Sequence, residues 1–149
     1  MAKIFEDYFS ELQADMVSIC LEYVEKRADT IYIYASLEGN SIDADFFFRI
    51  NGTLAQRHEL DIFSTNEFTY NTSDERQFAV LNILNEDMNK IDELCKLYNR
   101  ETPTEIKMIY DVNNNHLASN CKYDLIHSND TDKTGMDIAE DWFDELRNL

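Results

Sequence analysis

Between Thr30 and Leu60 the chain alternates apolar and polar residues through three consecutive segments, with no helical crossover between them. From Thr30 to Leu37, Ile31, Ile33, Ala35 and Leu37 oppose Tyr32, Tyr34 and Ser36. From Ile42 to Ile50, Ile42, Ala44, Phe46, Phe48 and Ile50 oppose Asp43, Asp45, Phe47 and Arg49. A strict two-residue alternation is what a strand with two different faces produces. Glu38-Gly39-Asn40-Ser41 reads as a turn. Asn51-Gly52 is the strongest hairpin signal in the chain, because both residues accept the positive φ of a type I′ turn. Thr53 to Leu60 then reads as a third antiparallel strand. From Asp61 to Asn71 the pattern blurs, and Glu67 to Tyr70 reads either as a fourth short strand or as an ordered loop.

A second hairpin is predicted from Glu105 onward. Ile106, Met108, Tyr110 and Val112 point one way, Lys107 and Asp111 the other. Asn113, Asn114 and Asn115 tolerate the positive φ of a tight reversal. The chain returns with Leu117, Cys121, Tyr123 and Leu125 on one face and Asn120, Lys122 and Asp124 on the other. A polar, acidic loop follows, then a short amphipathic helix that carries the only Trp.

Two longer helices frame these strands. The first is predicted over Ile4 to Lys26, with Phe5, Tyr8, Leu12, Met16, Ile19 and Tyr23 as its apolar stripe, widened by Phe9, Cys20 and Val24. Lys26 and Arg27 are expected to complement its C-terminal dipole. The second starts at Thr72-Ser73-Asp74-Glu75, which has capping-box spacing, and ends near Asn99, ahead of Pro103. Its stripe is Phe78, Leu81, Leu84, Met88, Ile91, Cys95 and Tyr98. The order is α-β-β-β-(β)-α-β-β-α. It implies an α+β fold, an antiparallel sheet of about five to six strands with helices packed on it. The 149 residues form one domain by length, and three Gly and one Pro leave no flexible linker.

Charge is the unusual quantity. Thirty acidic residues against thirteen basic ones give a net charge of −17. Such a surface repels phosphate, so neither direct nucleic-acid binding nor an anionic membrane is expected. It attracts basic partners and speeds their encounter. The plainer reading is solubility. Cys20, Cys95 and Cys121 are odd in number and form no CxxC pair, which suits a reducing, cytoplasmic setting. The first residues do not resemble a signal peptide, and no run approaches the ~20 apolar residues of a membrane span.

Few motifs carry chemistry. Asp130-x-Asp132-x-Thr134-Gly135, with Asp141 at the twelfth position, has the outline of a calcium loop. Its eighth position is Asp137 rather than an apolar residue, its twelfth is not Glu, and a strand precedes it. The competing reading is an acidic loop in which Thr131 or Thr134 caps the last helix, with Thr134 and Asp137 at capping-box spacing. Asp-x-Asp-x-Thr also matches a phosphatase nucleophile motif, but no apolar parallel strand leads into it. His58, His116 and His127 lack metal-site spacing. There is no nucleophile elbow and no phosphate-cradling Gly loop. Asp43 and Asp45 are either a carboxylate pair or the solvated face of a half-exposed strand. No cofactor is expected.

The texture of the whole chain resembles a known family. A leading amphipathic helix precedes a tyrosine-rich strand (TIYIYASLEG) and an Asp- and Phe-rich one (IDADFFFRI). A long helix, a strand ending in Tyr-Asp (IKMIYDV) and a second strand (NCKYDLIHSND) lead to an acidic Trp-containing helix (AEDWFDEL). This resembles the YezG-like immunity proteins, the antitoxins of nuclease toxins secreted by Gram-positive bacteria. The resemblance implies a polymorphic toxin system with type VII secretion, a cytoplasmic antitoxin, no catalytic residue, and a cognate basic nuclease toxin as partner. The surface it would use is the terminal loop and helix, Asp130, Asp132, Asp137, Glu140, Asp141 and Trp142, with the Asp43/Asp45 strand second. An acidic adaptor or chaperone-like module for a basic client is the alternative. Oligomeric state stays open.

Overall fold

The computed structural model describes residues 3–125 and 133–149. Helix α1 (Phe5–Tyr23) leads into strands β1 (Thr30–Glu38), β2 (Ser41–Ile50) and β3 (Thr53–Gln56). A 3-10 helix (Arg57–Phe63) and helix α2 (Asp74–Leu97) follow. Strands β4 (Glu105–Asp111) and β5 (His116–Lys122) then precede helix α3 (Gly135–Arg147). The sheet is five-stranded and antiparallel throughout, in the order β3-β2-β1-β4-β5. Both residues of the Asn-Gly turn have positive φ, Asn51 at 51° and Gly52 at 80°, as a type I′ hairpin requires.

Alternation sorts the strands into two apolar faces. Ile31, Ile33, Phe46, Phe48, Ile106 and Met108 point to one side, where they pack with Met16, Cys20, Leu84, Met88 and Ile91 of α1 and α2. Tyr32, Tyr34 and Phe47 point to the other side and meet α3. So β1 and β2 are buried on both faces, which alternation alone does not reveal.

Several boundaries differ from the sequence reading. Strand β3 ends at Gln56 rather than Leu60. The chain turns there because Glu59 Oε1 accepts the Gln56 N–H at 2.8 Å, and the turn carries Leu60 into the core. His58 is therefore an exposed residue of the 3-10 helix, not of a strand. Residues 67–70 form an ordered loop: Thr65 Oγ1 accepts from the Glu67 and Phe68 amides, and the Arg27 guanidinium lies 3.6 Å from the Phe68 ring centroid. Helix α1 stops at Tyr23 because Glu25 and Lys26 adopt positive φ, so Lys26 and Arg27 lie beyond its last turn. Ser73, not Thr72, caps α2, its hydroxyl accepting from the Arg76 amide.

The helix stripes are buried at Phe5, Met16, Cys20 and Tyr23 of α1 and at Leu84, Met88, Ile91 and Cys95 of α2, and differ from those expected at their margins. Phe78 is 58% exposed, while Gln13, Gln77 and Asp87 are buried. The amides fit because they are satisfied: Gln13 accepts from Ser119 Oγ at 2.5 Å, and Gln77 donates to the Thr72 carbonyl and accepts from Arg57 Nε. Asp87 is a different case. Burial at the α1–α2 contact and the neighbouring Asp15 carboxylate push its pKa up to about 7.

A carboxyl whose pKa rises on folding supports the fold while protonated and loses that support as it ionises. The contribution of Asp87 is therefore present at acid pH and lost as pH climbs from about 4 to about 7. Asp87→Asn is expected to raise Tm at pH 8 by about 2–4 °C per kcal/mol of relief and to flatten the pH profile of stability across that window. Thermal melts at pH 4.5 and pH 8 check this; an unchanged slope refutes it.

Candidate functional site

Helix α3 begins where sequence chemistry says it should. Thr134 caps it, accepting the Asp137 amide at 3.3 Å, while Asp137 Oδ2 accepts the Thr134 amide at 2.8 Å. Asp137 is therefore engaged in the box as well as half-buried. Glu140 and Asp141 are exposed on the outer side of the helix, joined by Asp144 and Glu145. Asp141 meets Lys133 at 2.9 Å and Asp144 meets Arg147 at 2.5 Å. Such exposed pairs contribute little, roughly 0–1 kcal/mol each. Asp130 and Asp132 lie outside the described residues.

Trp142 is not a surface anchor: it is 6% exposed. Its ring stands edge-on to Tyr32 at 5.8 Å and to Phe47 at 5.3 Å, and Lys107 Nζ lies 5.4 Å from its centroid. Phe143 meets the same Phe47 ring edge-on at 5.1 Å. Edge-to-face pairs of this kind add about 0.5–1.5 kcal/mol beyond the area they bury. The aromatic residues hold α3 in place and leave its acids outside.

Asp43 and Asp45 do not lie on a solvated strand face, because α3 covers that face. Asp43 Oδ2 accepts the Gly135 amide at 3.1 Å, placing a carboxylate at the positive N-terminal end of α3. A Cβ on Gly135 would fall 2.5 Å from Asp43 Oδ2 and 2.6 Å from Ser36 Oγ, so only glycine lets the helix start this close. Asp45 is 4% exposed and ion-paired with Arg57, and it also accepts the Phe46 amide. Burial pushes its pKa up, and Arg57 pulls it back.

Sequence reasoning missed three members of this neighbourhood. Arg57 lies at the position first read as strand, and only the tertiary turn brings it to Asp45. Glu105 is 1% exposed, with Lys122 Nζ 3.8 Å from Oε2. Tyr34 is fully buried, and burial, then the charge of Glu105, pushes its phenol pKa up. The register could have signalled Glu105: Asp43, Ser36, Glu105 and Lys122 form one row across four strands.

Among the described residues, no cluster of three or more His, Cys, Asp or Glu side chains is placed to hold a metal ion. No described helix is long and apolar enough to cross a membrane. The cysteines are unpaired, and burial raises all three thiol pKa values, keeping them protonated. Cavities open away from α3. One of about 610 Å³ is lined by Glu22, Glu25, Lys26 and Arg76, and one of about 280 Å³ by Ala14, Val17, Leu21, Tyr110 and Leu117. Compared with protein-family models and with curated proteins, the chain matches none.

Two substitutions separate the supports of α3 and β2. Trp142→Ala is expected to cost about 3–5 kcal/mol and to release α3, seen as a lower Tm with faster amide exchange over Gly135–Arg147. Arg57→Ala leaves a buried carboxylate without its cation, a loss of about 3–5 kcal/mol at neutral pH. That loss should shrink as pH falls, because burial already raises the Asp45 pKa and removal of Arg57 takes away the charge that lowers it. Adding Asp45→Asn to Arg57→Ala should recover most of it; no recovery in denaturant melts counts against the pairing.

Proposed function

We propose that this chain is an immunity protein that captures and neutralises a basic nuclease toxin. The observation that carries the reading is the division of labour within α3. Its apolar side is spent on Tyr32 and Phe47, so Glu140, Asp141, Asp144 and Glu145 face outward from a helix held in a fixed pose. A nuclease has to present cations to a phosphodiester. Carboxylates on a rigid support can occupy that cationic surface in place of phosphates. The net charge of −17 supplies long-range attraction for fast capture.

The internal pairs do not obstruct this. Lys133–Asp141 and Arg147–Asp144 are exposed, so the carboxylates exchange local cations for a partner's at small cost. Inhibition needs only occlusion, and the action belongs in the compartment where the toxin is made before export. An adaptor for a basic client would use the same surface. The two differ in whether binding abolishes a nuclease activity.

Coexpression with the product of the adjacent gene tests the proposal. The expected result is a stable complex and loss of that product's nuclease activity on plasmid DNA or RNA. Reversing Glu140, Asp141, Asp144 and Glu145 to Lys is expected to weaken capture at least tenfold, mainly through the on-rate, with the loss smaller at 500 mM salt. A basic partner bound without loss of activity favours the adaptor. No complex at all refutes both.

A further inference from the structure

The two edges of the sheet are treated differently. At β3 the edge is four residues long and the chain turns away into the 3-10 helix, whose Arg57 closes on Asp45 beside it. At β5 the edge runs seven residues, His116–Lys122, and contains no Pro, Gly or acidic residue. Among the described residues no strand pairs with its outer side. Proteins normally blunt such an edge with a bulge, a proline or an outward charge. Here Lys122 is directed to Glu105 on β4 instead.

The hydrogen-bond phase fixes which groups face out. Leu37 N–H donates to the Thr104 carbonyl at 2.9 Å, and Val112 N–H donates to the Asp29 carbonyl at 3.0 Å. With the β1–β4 register, even-numbered residues of β4 therefore bond to β1 and odd-numbered ones to β5. Glu105, Lys107, Ile109 and Asp111 pair with Lys122, Asn120, Ala118 and His116. The backbone N–H and C=O of Leu117, Ser119 and Cys121 are left pointing outward.

A pocket adjoins this edge. Helix α1 lies over β5, since Ser119 Oγ donates to Gln13. The flank of α1 beside it carries Ala14, Val17, Ser18 and Leu21, which line the 280 Å³ cavity with Tyr110 and Leu117. Ser18 and Leu21 also line the 610 Å³ trough, where Glu22 and Glu25 stand with Lys26 and Arg76. A strand laid along β5 would direct alternate side chains toward this flank.

We propose that an extended, Lys- or Arg-bearing segment of the basic partner adds to the outer edge of β5 as a sixth strand, with one apolar side chain in the pocket beneath α1. This rests on the reading given under Proposed function and adds a second contact, remote from the acids of α3. Charge selects the occupant. A second copy of this chain would bring another −17 to the same edge, whereas a cationic segment is attracted by that net charge. Backbone pairing supplies affinity, and the pocket supplies selection.

The test is amide hydrogen exchange by NMR on the chain alone and on its complex with the coexpressed product of the adjacent gene. Exchange at Leu117, Ser119 and Cys121 is expected to slow at least tenfold in the complex. Ala14→Phe fills the pocket from an exposed helix position and is expected to raise Kd at least tenfold with Tm unchanged. A complex that forms while those three amides exchange as before overturns strand addition and leaves the proposed function standing. Absence of any complex removes that function and this inference with it. Protection that grows with concentration in the chain alone, with doubled mass, assigns the edge to a second copy and overturns the proposal.

Discussion

Burial of β1 and β2 on both faces is the constraint on which the rest depends. Ile31, Ile33, Phe46 and Phe48 need cover on one side, and Tyr32, Tyr34 and Phe47 need it on the other. Fully burying one large apolar side chain contributes about 1.5–3 kcal/mol, so neither face can be left open. Two long helices close the first face. The second is closed by α3, a helix of 13 residues that would be marginal by itself. It persists because Trp142 and Phe143 interlock with the rings of Tyr32 and Phe47.

The same docking divides the carboxylates into two populations. Asp43, Asp45 and Glu105 lie under or beside the start of α3 and serve the fold. They are matched by the helix N-terminus, by Arg57 and by Lys122 respectively. Glu140, Asp141, Asp144 and Glu145 lie on the far side and are exposed. A charge of −17 carries a self-repulsion cost, and Asp87 shows it locally, its carboxyl pressed against Asp15 between two helices. Exposed acids meet cations of the chain as well, Asp141 at Lys133 and Asp144 at Arg147, but thirteen basic residues cannot match thirty acidic ones.

The element order, the antiparallel sheet, the Asn-Gly hairpin and the Thr134 cap were all legible in the sequence. Each rests on local chemistry: period-two alternation, positive φ and a hydroxyl three residues from its amide. The early end of β3 was not legible, since it depends on Glu59 capping Gln56 and on Leu60 finding the core. The centres of the helix stripes were legible but their margins were not, because apolar periodicity cannot tell that Gln13 and Gln77 will find buried partners while Phe78 stays outside. For the candidate site, Trp142 and the acids around it stood out by composition. Whether each faced in or out did not.

By itself the sequence determined the order of the main helices and strands, the antiparallel order of its hairpins and the excess of negative charge, because these follow from residues close together along the chain. Only the tertiary structure decided that α3 covers the Asp43–Asp45 face, that Arg57 answers Asp45, and that the backbone of β5 at Leu117, Ser119 and Cys121 has no strand beside it among the described residues. Those outcomes depend on which surfaces meet, and residues distant in sequence meet only when two apolar faces must both be hidden from water.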